Sequence, residues 1–166
     1  AESGGQVGDT GVILMGENIV SVVDTVKSEG HFLHIAEIEQ GSISKGDKVL
    51  AKIDKERRLA VMRNHTTAHL LQYALRQVLG EHVHQAGQLV NEKACRFDFN
   101  HFSAMTDSEI AEVEALVNAE IMSAVDVTMQ EMPIEEAKKL GAMALFGEKY
   151  GNTVRVVTAD KSVEFC

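Results

Sequence analysis

His65 and His69 stand four residues apart in Arg63-Asn64-His65-Thr66-Thr67-Ala68-His69-Leu70-Leu71. On an α-helix that spacing stacks two side chains on one face. Two imidazoles so placed can take one Zn²⁺. The helical pair best known for hydrolytic zinc chemistry carries a Glu directly after its first His, as general base. Here that position is Thr66, which argues against a metalloprotease. Zinc needs further ligands, and Cys166 offers a thiolate at the end of the strand-like Ser162-Val163-Glu164-Phe165-Cys166. Two His and a distant Cys make a zinc ligand set with one position missing or open. Taken alone, an i, i+4 His pair is equally a chance, solvent-facing feature of an amphipathic helix.

The elements that must carry these residues fall into two parts. Residues 1 to about 62 read as β, because Gly is frequent and helical periodicity is absent. Val12–Met15 and Ile19–Val23 are runs rich in β-branched residues, His31–Glu37 alternates loosely, and Lys48–Ile53 alternates well after the turn Lys45-Gly46-Asp47. Several short strands in some sixty residues predict a small barrel. From Asn64 to Leu79 the period becomes helical, with Leu71, Leu75 and Val78 in one stripe, Asn64 as N-cap and Gly80 as stop. That places His65 in the first turn. His82–Val90 reads as an irregular strand on which His82 and His84 alternate in phase and face solvent. Ala94–Phe99 is a strand with Cys95 as a small core residue. Thr106-Asp107-Ser108-Glu109 is a capping box before a helix running to about Ala124. Val127–Met132 is a strand, and Pro133 opens a short helix stopped by Gly141. Residues 144–151 form a loop, and 153–158 and 162–166 pair around 159–161. The fold class is α+β: a small N-terminal β-barrel over 1–62, then a two-layer α/β sandwich with an antiparallel sheet over 63–166.

Composition narrows the function. Sixteen Lys and Arg against 25 Asp and Glu give a net charge of −9. A general nucleic-acid binder usually shows a basic footprint, so this balance argues against one. It leaves room for a tRNA whose body is held elsewhere. The local cluster Lys52, Lys55, Arg57, Arg58 and Arg63 reads as a solvated strand-turn-strand edge. No run of about 18 apolar residues predicts a membrane span, and Ala1 opens no secretory signal. Cys95 and Cys166 are too few for a disulfide framework, and a reducing cytoplasm is the simplest home.

Four stretches, "RNHTTAHLLQYALRQVLGEHVHQAGQLV", "RFDF", "LFGEKYGNTVRVV" and "SVEFC", resemble the editing domain of bacterial alanyl-tRNA synthetase. The opening "AESGGQVGDTG" resembles the glycine-rich start of the same domain, so the likeness runs from Ala1 to Cys166. It implies hydrolysis of mischarged Ser-tRNA(Ala) and Gly-tRNA(Ala), in a ligase whose ATP use belongs to the parent synthetase alone. It implies Zn²⁺ held by His65, His69 and Cys166, with these three and Gln85 as the catalytic set. By the same resemblance Ser3, Gly5, Gln6 and Gln85 contact substrate, and the partners are the tRNA(Ala) acceptor end and the rest of the synthetase. In the family the equivalent of Cys166 is followed by two glycines, a Thr and the His that completes the metal site. This chain stops at the Cys, so it reads as a fragment with an incomplete zinc site. Glu148 and Asp160 are spare carboxylates that read as loop or surface groups. A free-standing trans-editing hydrolase would share these motifs, and a non-catalytic zinc-binding module would share the ligands.

Overall fold

The computed structural model describes residues 2, 4–140, 151–159 and 162–165, the last two, Glu164 and Phe165, by their backbone. Twelve elements are described: β1 (Gly11–Met15), β2 (Asn18–Ser28), β3 (His31–Gln40), β4 (Leu50–Ile53), α1 (Lys55–Leu79), β5 (Gln85–Val90), β6 (Cys95–Phe99), α2 (Asp107–Met122), β7 (Val127–Pro133), α3 (Ile134–Lys139), β8 (Thr153–Ala159) and β9 (Ser162–Phe165). The architecture is mixed α and β with antiparallel sheets. Chain contacts divide it into two compact units, one of residues 1–64 with 89–94 and one of residues 65–88 with 95–166.

In the first unit four strands pair in the order β3-β2-β1-β4. The β2–β3 turn places Glu29 and Gly30 at positive φ, 50° and 79°. Two such residues in succession match the right-handed twist of the flanking strands. β2 turns Val20, Val22 and Thr25 inward, whereas every residue of β3 is exposed. The expected β-barrel is corrected here, because the described strands form an open sheet with β3 and β4 at its edges. Closing a sheet into a barrel requires the first and last strands to pair. Among the described residues β3 and β4 do not pair, and β4 is only four residues long.

The start of the long helix is also corrected. α1 begins at Lys55, not after Asn64. Asp54 supplies the N-cap: its side chain accepts from the Arg57 N–H at 3.0 Å, and its carbonyl accepts from Arg58 N–H at 3.0 Å. A carboxylate at that position satisfies donors that a helix start otherwise leaves unpaired. Leu59–Met62, which read as a strand-like approach, is therefore the second turn of α1.

The second unit holds two hydrophobic clusters. Ala74, Leu75, Val83 and Val113 are buried together, with Leu71, Val78, Leu79, Phe97, Phe99, Met105, Leu116 and Val117 packed against them. The stripe expected on α1 is thus a core stripe. The capping box of α2 is complete: Thr106 Oγ1 accepts from Glu109 N–H, and Glu109 accepts from Thr106 N–H at 2.7 Å. A separate cluster of Ala137, Val154 and Val156 fixes α3 against β7 and β8. β7-β8-β9 is an antiparallel sheet whose last hairpin closes Ala159 opposite Ser162. The antiparallel sheet expected over 63–166 comes, among the described residues, as this sheet and the separate pair β5-β6.

Candidate functional site

α1 carries the histidine pair. His65 lies ten residues past Lys55, in mid-helix rather than in the first turn, because Asp54 caps the helix earlier. The two rings stack with centroids 5.1 Å apart and planes 13° from parallel. Both residues are half-buried. Two Zn–N bonds of roughly 2.0–2.1 Å meeting at a tetrahedral angle put ring centroids about 5 Å apart. The centroid spacing and the donor chemistry suit a zinc ion, which takes each imidazole in its ring plane, so one ring would turn out of the stack to share it. Among the described residues no group of three or more His, Cys, Asp or Glu gathers as a metal site. Cys166, the third expected ligand, lies outside the described residues, as do Ser3, Glu148 and Asp160.

Gln72 continues the same helix stripe, three residues after His69. It is 5% exposed, and its side-chain oxygen is buried without a hydrogen-bond partner. A lone buried acceptor costs its full desolvation, about 1–3 kcal/mol, whereas an apolar residue of like size does not. Gln72→Leu is expected to leave the unfolding free energy unchanged or raise it by about 1 kcal/mol. A loss of more than about 1 kcal/mol in urea titration would mean that the oxygen has a partner in solution.

The glycine-rich segment is pinned in the first unit. Val90 donates to Gly5 O at 2.8 Å and accepts from Val7 N–H at 3.0 Å, so Gln6 bridges to Val90. Gly5 takes φ +75°, a conformation that costs a glycine little. From α1, Arg57 Nη1 donates to Gly8 O at 2.8 Å and its Nε lies 3.2 Å from Glu92. Arg58 Nε donates to Asp9 Oδ1 at 2.6 Å, and its Nη2 pairs with Asp9 Oδ2. Two of the five basic residues expected on a solvated strand edge are thus internal pins from the first turn of a helix. Gly8 and Asp9 lie 49 positions from them, beyond what local patterning reveals. Hydrogen bonds from Arg58 hold the Asp9 carboxyl below the usual carboxylate range, against the upward push of burial. A depressed carboxylate stabilises the fold above its unfolded pKa, and that contribution is lost as pH falls through the folded value. Asp9→Asn should therefore be less stable than the parent near neutral pH. The difference should vanish under acid, below the ordinary aspartate range of about 3.9. Parallel urea titrations at several pH values check it, and a pH-independent gap would contradict it.

Gln85 opens β5 and is half-buried. His82 and His84 were expected to face solvent, and both are half-buried instead. His82 Nε2 lies 2.9 Å from His101 Nδ1, edge to edge, and its face stacks on Phe102 with centroids 4.4 Å apart. Sequence alternation missed this because the partner lies 19 residues on, past a two-stranded excursion. Cys95 is half-buried in β6, and burial pushes its thiol pKa up, which suits an inert packing residue rather than a nucleophile.

No described helix is long and apolar enough to cross a membrane. Residues 1–57 match the family model "tRNA synthetases class II (A)". Over its full length the chain is 56% identical to a segment of an alanine–tRNA ligase from Acetivibrio thermocellus and 47% identical to one from Bacillus velezensis. The corresponding figure for the enzyme of Hydrogenovibrio crunogenus is 52%. In each case the chain spans 19% of the relative's length.

Proposed function

We propose that the chain is the editing domain of an alanine–tRNA ligase, hydrolysing the ester of mischarged Ser-tRNA(Ala) and Gly-tRNA(Ala). The observation that carries this reading is the stacked His65–His69 pair on α1, set in a chain about half identical, end to end, to a segment of alanine–tRNA ligases. Such a step has a physical reason. A synthetic site shaped for a methyl side chain admits glycine, and serine adds only a hydroxyl. Discrimination on differences of that size reaches roughly 10–200-fold, so a second hydrolytic sieve is needed.

His65, His69 and Cys166 would hold the zinc ion, with a fourth ligand from the parent chain. A bound zinc ion would lower the pKa of a water molecule towards neutrality or orient the aminoacyl ester. The chain's own residues do the sorting. Gln85, Gln6 and Ser3 would hydrogen-bond the serine hydroxyl and the ester, and alanine would leave those groups unpaired. Gly5 would let the backbone approach the ligand closely. The partners would be the acceptor end of tRNA(Ala) and the rest of the synthetase, in the cytoplasm, with ATP used only at the parent's charging site.

The test is serine release from Ser-tRNA(Ala), with Ala-tRNA(Ala) as control. It is run on this chain and on the chain lengthened through the family's Gly-Gly-Thr-His. Release from the serine ester alone, raised by the lengthened form, supports the reading. Equal hydrolysis of both esters would make the chain an unselective esterase rather than a proofreading domain, and zinc binding by the lengthened form without any hydrolysis would replace the reading with a non-catalytic zinc module.

A further inference from the structure

Phe102 is 87% exposed. An exposed apolar side chain alone says little, but this ring is not loose. Its inner face lies on the His82 imidazole, with centroids 4.4 Å apart and planes at 23°. His101 meets the edge of His82, its Nδ1 2.9 Å from His82 Nε2 with centroids 5.1 Å apart, and lies 6.0 Å from Phe102 at a tilt of 43°. Phe102 thus covers the face of His82, and His101 holds its edge.

The two segments that carry the stack are tied to each other and to α1. Arg76 Nη1 donates to the carbonyls of Glu81 at 2.6 Å and Val83 at 3.0 Å. His84 N–H donates to Asn100 Oδ1 at 2.7 Å, and Asn100 N–H donates to His84 O at 3.2 Å. Asn100 Nδ2 reaches His82 O at 3.4 Å. Val83, between the two histidines, is fully buried. The loop therefore presents one flat ring to solvent on a fixed base.

We propose that Phe102, braced by His82 and His101, is a stacking platform for an unpaired nucleobase of the tRNA acceptor end. This rests on the function proposed above and adds a contact to it. A protein partner needs a contiguous apolar patch of some hundreds of Å². Next to it in the chain the exposed residues are Asn100, Ser103 and Ala104, none of them a large apolar side chain. A single aromatic face instead suits a single base, and every base has a π-face to offer. Stacking also needs no net positive charge, which a chain at −9 does not supply. Arg76 is spent on carbonyls, and Glu109 is engaged by Thr106, so the attraction is the ring's own.

An acceptor-stem minihelix ending in C-C-2-aminopurine reads the contact directly, because stacking quenches its fluorescence. Phe102→Ala and Phe102→Leu should each weaken binding roughly five- to a hundredfold, and Phe102→Trp should restore it to within about threefold. Thermal midpoints should not move, since the ring is exposed. Binding by Phe102→Ala within about twofold of the parent, or by Phe102→Leu as tight as the parent, overturns the platform. So does an absence of quenching with the unaltered chain. Absent quenching together with a lowered thermal midpoint of Phe102→Ala in a full-length ligase would assign the ring to an intramolecular protein contact. Quenching without serine release would keep the platform and sink the hydrolase, so the two failures are separable.

Discussion

Removing the His69 imidazole is expected to lower serine release from Ser-tRNA(Ala) by at least about a hundredfold. Loss of a group that merely orients a metal ligand costs 10–100-fold in affinity or activity, and on the proposed reading His69→Ala removes a ligand itself. The change should appear in the lengthened chain or in a full-length ligase carrying this segment, where the proposed zinc site would have all its ligands. Bound zinc should fall in parallel. Gln77, exposed on the same helix, supplies the control, and Gln77→Ala should leave both readouts unchanged. The helix itself should survive, because Ala is the strongest helix former and His69 sits well inside α1. Unchanged serine release in His69→Ala would remove the His pair from the chemistry whatever the metal content.

The two histidines were legible because helical spacing is local: four positions suffice to put two rings 5.1 Å apart. The capping box at Thr106 and the β8–β9 hairpin were legible for the same reason, each being fixed within a few residues. The start of α1 was not. Lys48–Ile53 alternates like a strand, and only its last four residues pair as one, after which the Asp54 carboxylate takes over the chain's direction. The pins on the glycine-rich segment were hidden further still. Arg58 and Asp9 find each other across 49 residues, and neither has a local pattern that names the other. Gln85, Gly5 and Gln6 entered through a family likeness, since no spacing or periodicity singles them out. An open sheet was mistaken for a barrel because strand count and turn signals do not say whether the first and last strands pair.

Helical periodicity names the inward face of an element but not its depth, and Leu75 and Ile110 separate the two. Both sit on apolar stripes, of α1 and α2. Leu75 is 2% exposed and Ile110 is 49% exposed. Leu75 packs among Ala74, Val83 and Val113. Ala74, Val83 and Val113 are buried around it, so deletion of the Leu75 branch would leave a cavity to the extent that they do not collapse into it. That cavity would open on a groove of about 400 Å³ that Leu71, Leu75, Phe99, Met105, Val113 and Val117 already help to line. Leu75→Ala should therefore cost about 3 kcal/mol, within the 2–5 kcal/mol that buried Leu→Ala changes span. For a domain of this size that lowers the midpoint of thermal unfolding by roughly 6–12 °C. Ile110→Ala removes a side chain already half in water and should cost less than about 1 kcal/mol. Both replacements introduce Ala into a helix, so helix propensity cannot account for the loss in either, and the contrast reads packing alone. Urea titration of the two variants decides it. Equal costs would mean that α2 covers Ile110 in solution as fully as α1 and its neighbours cover Leu75, with the groove between them closed.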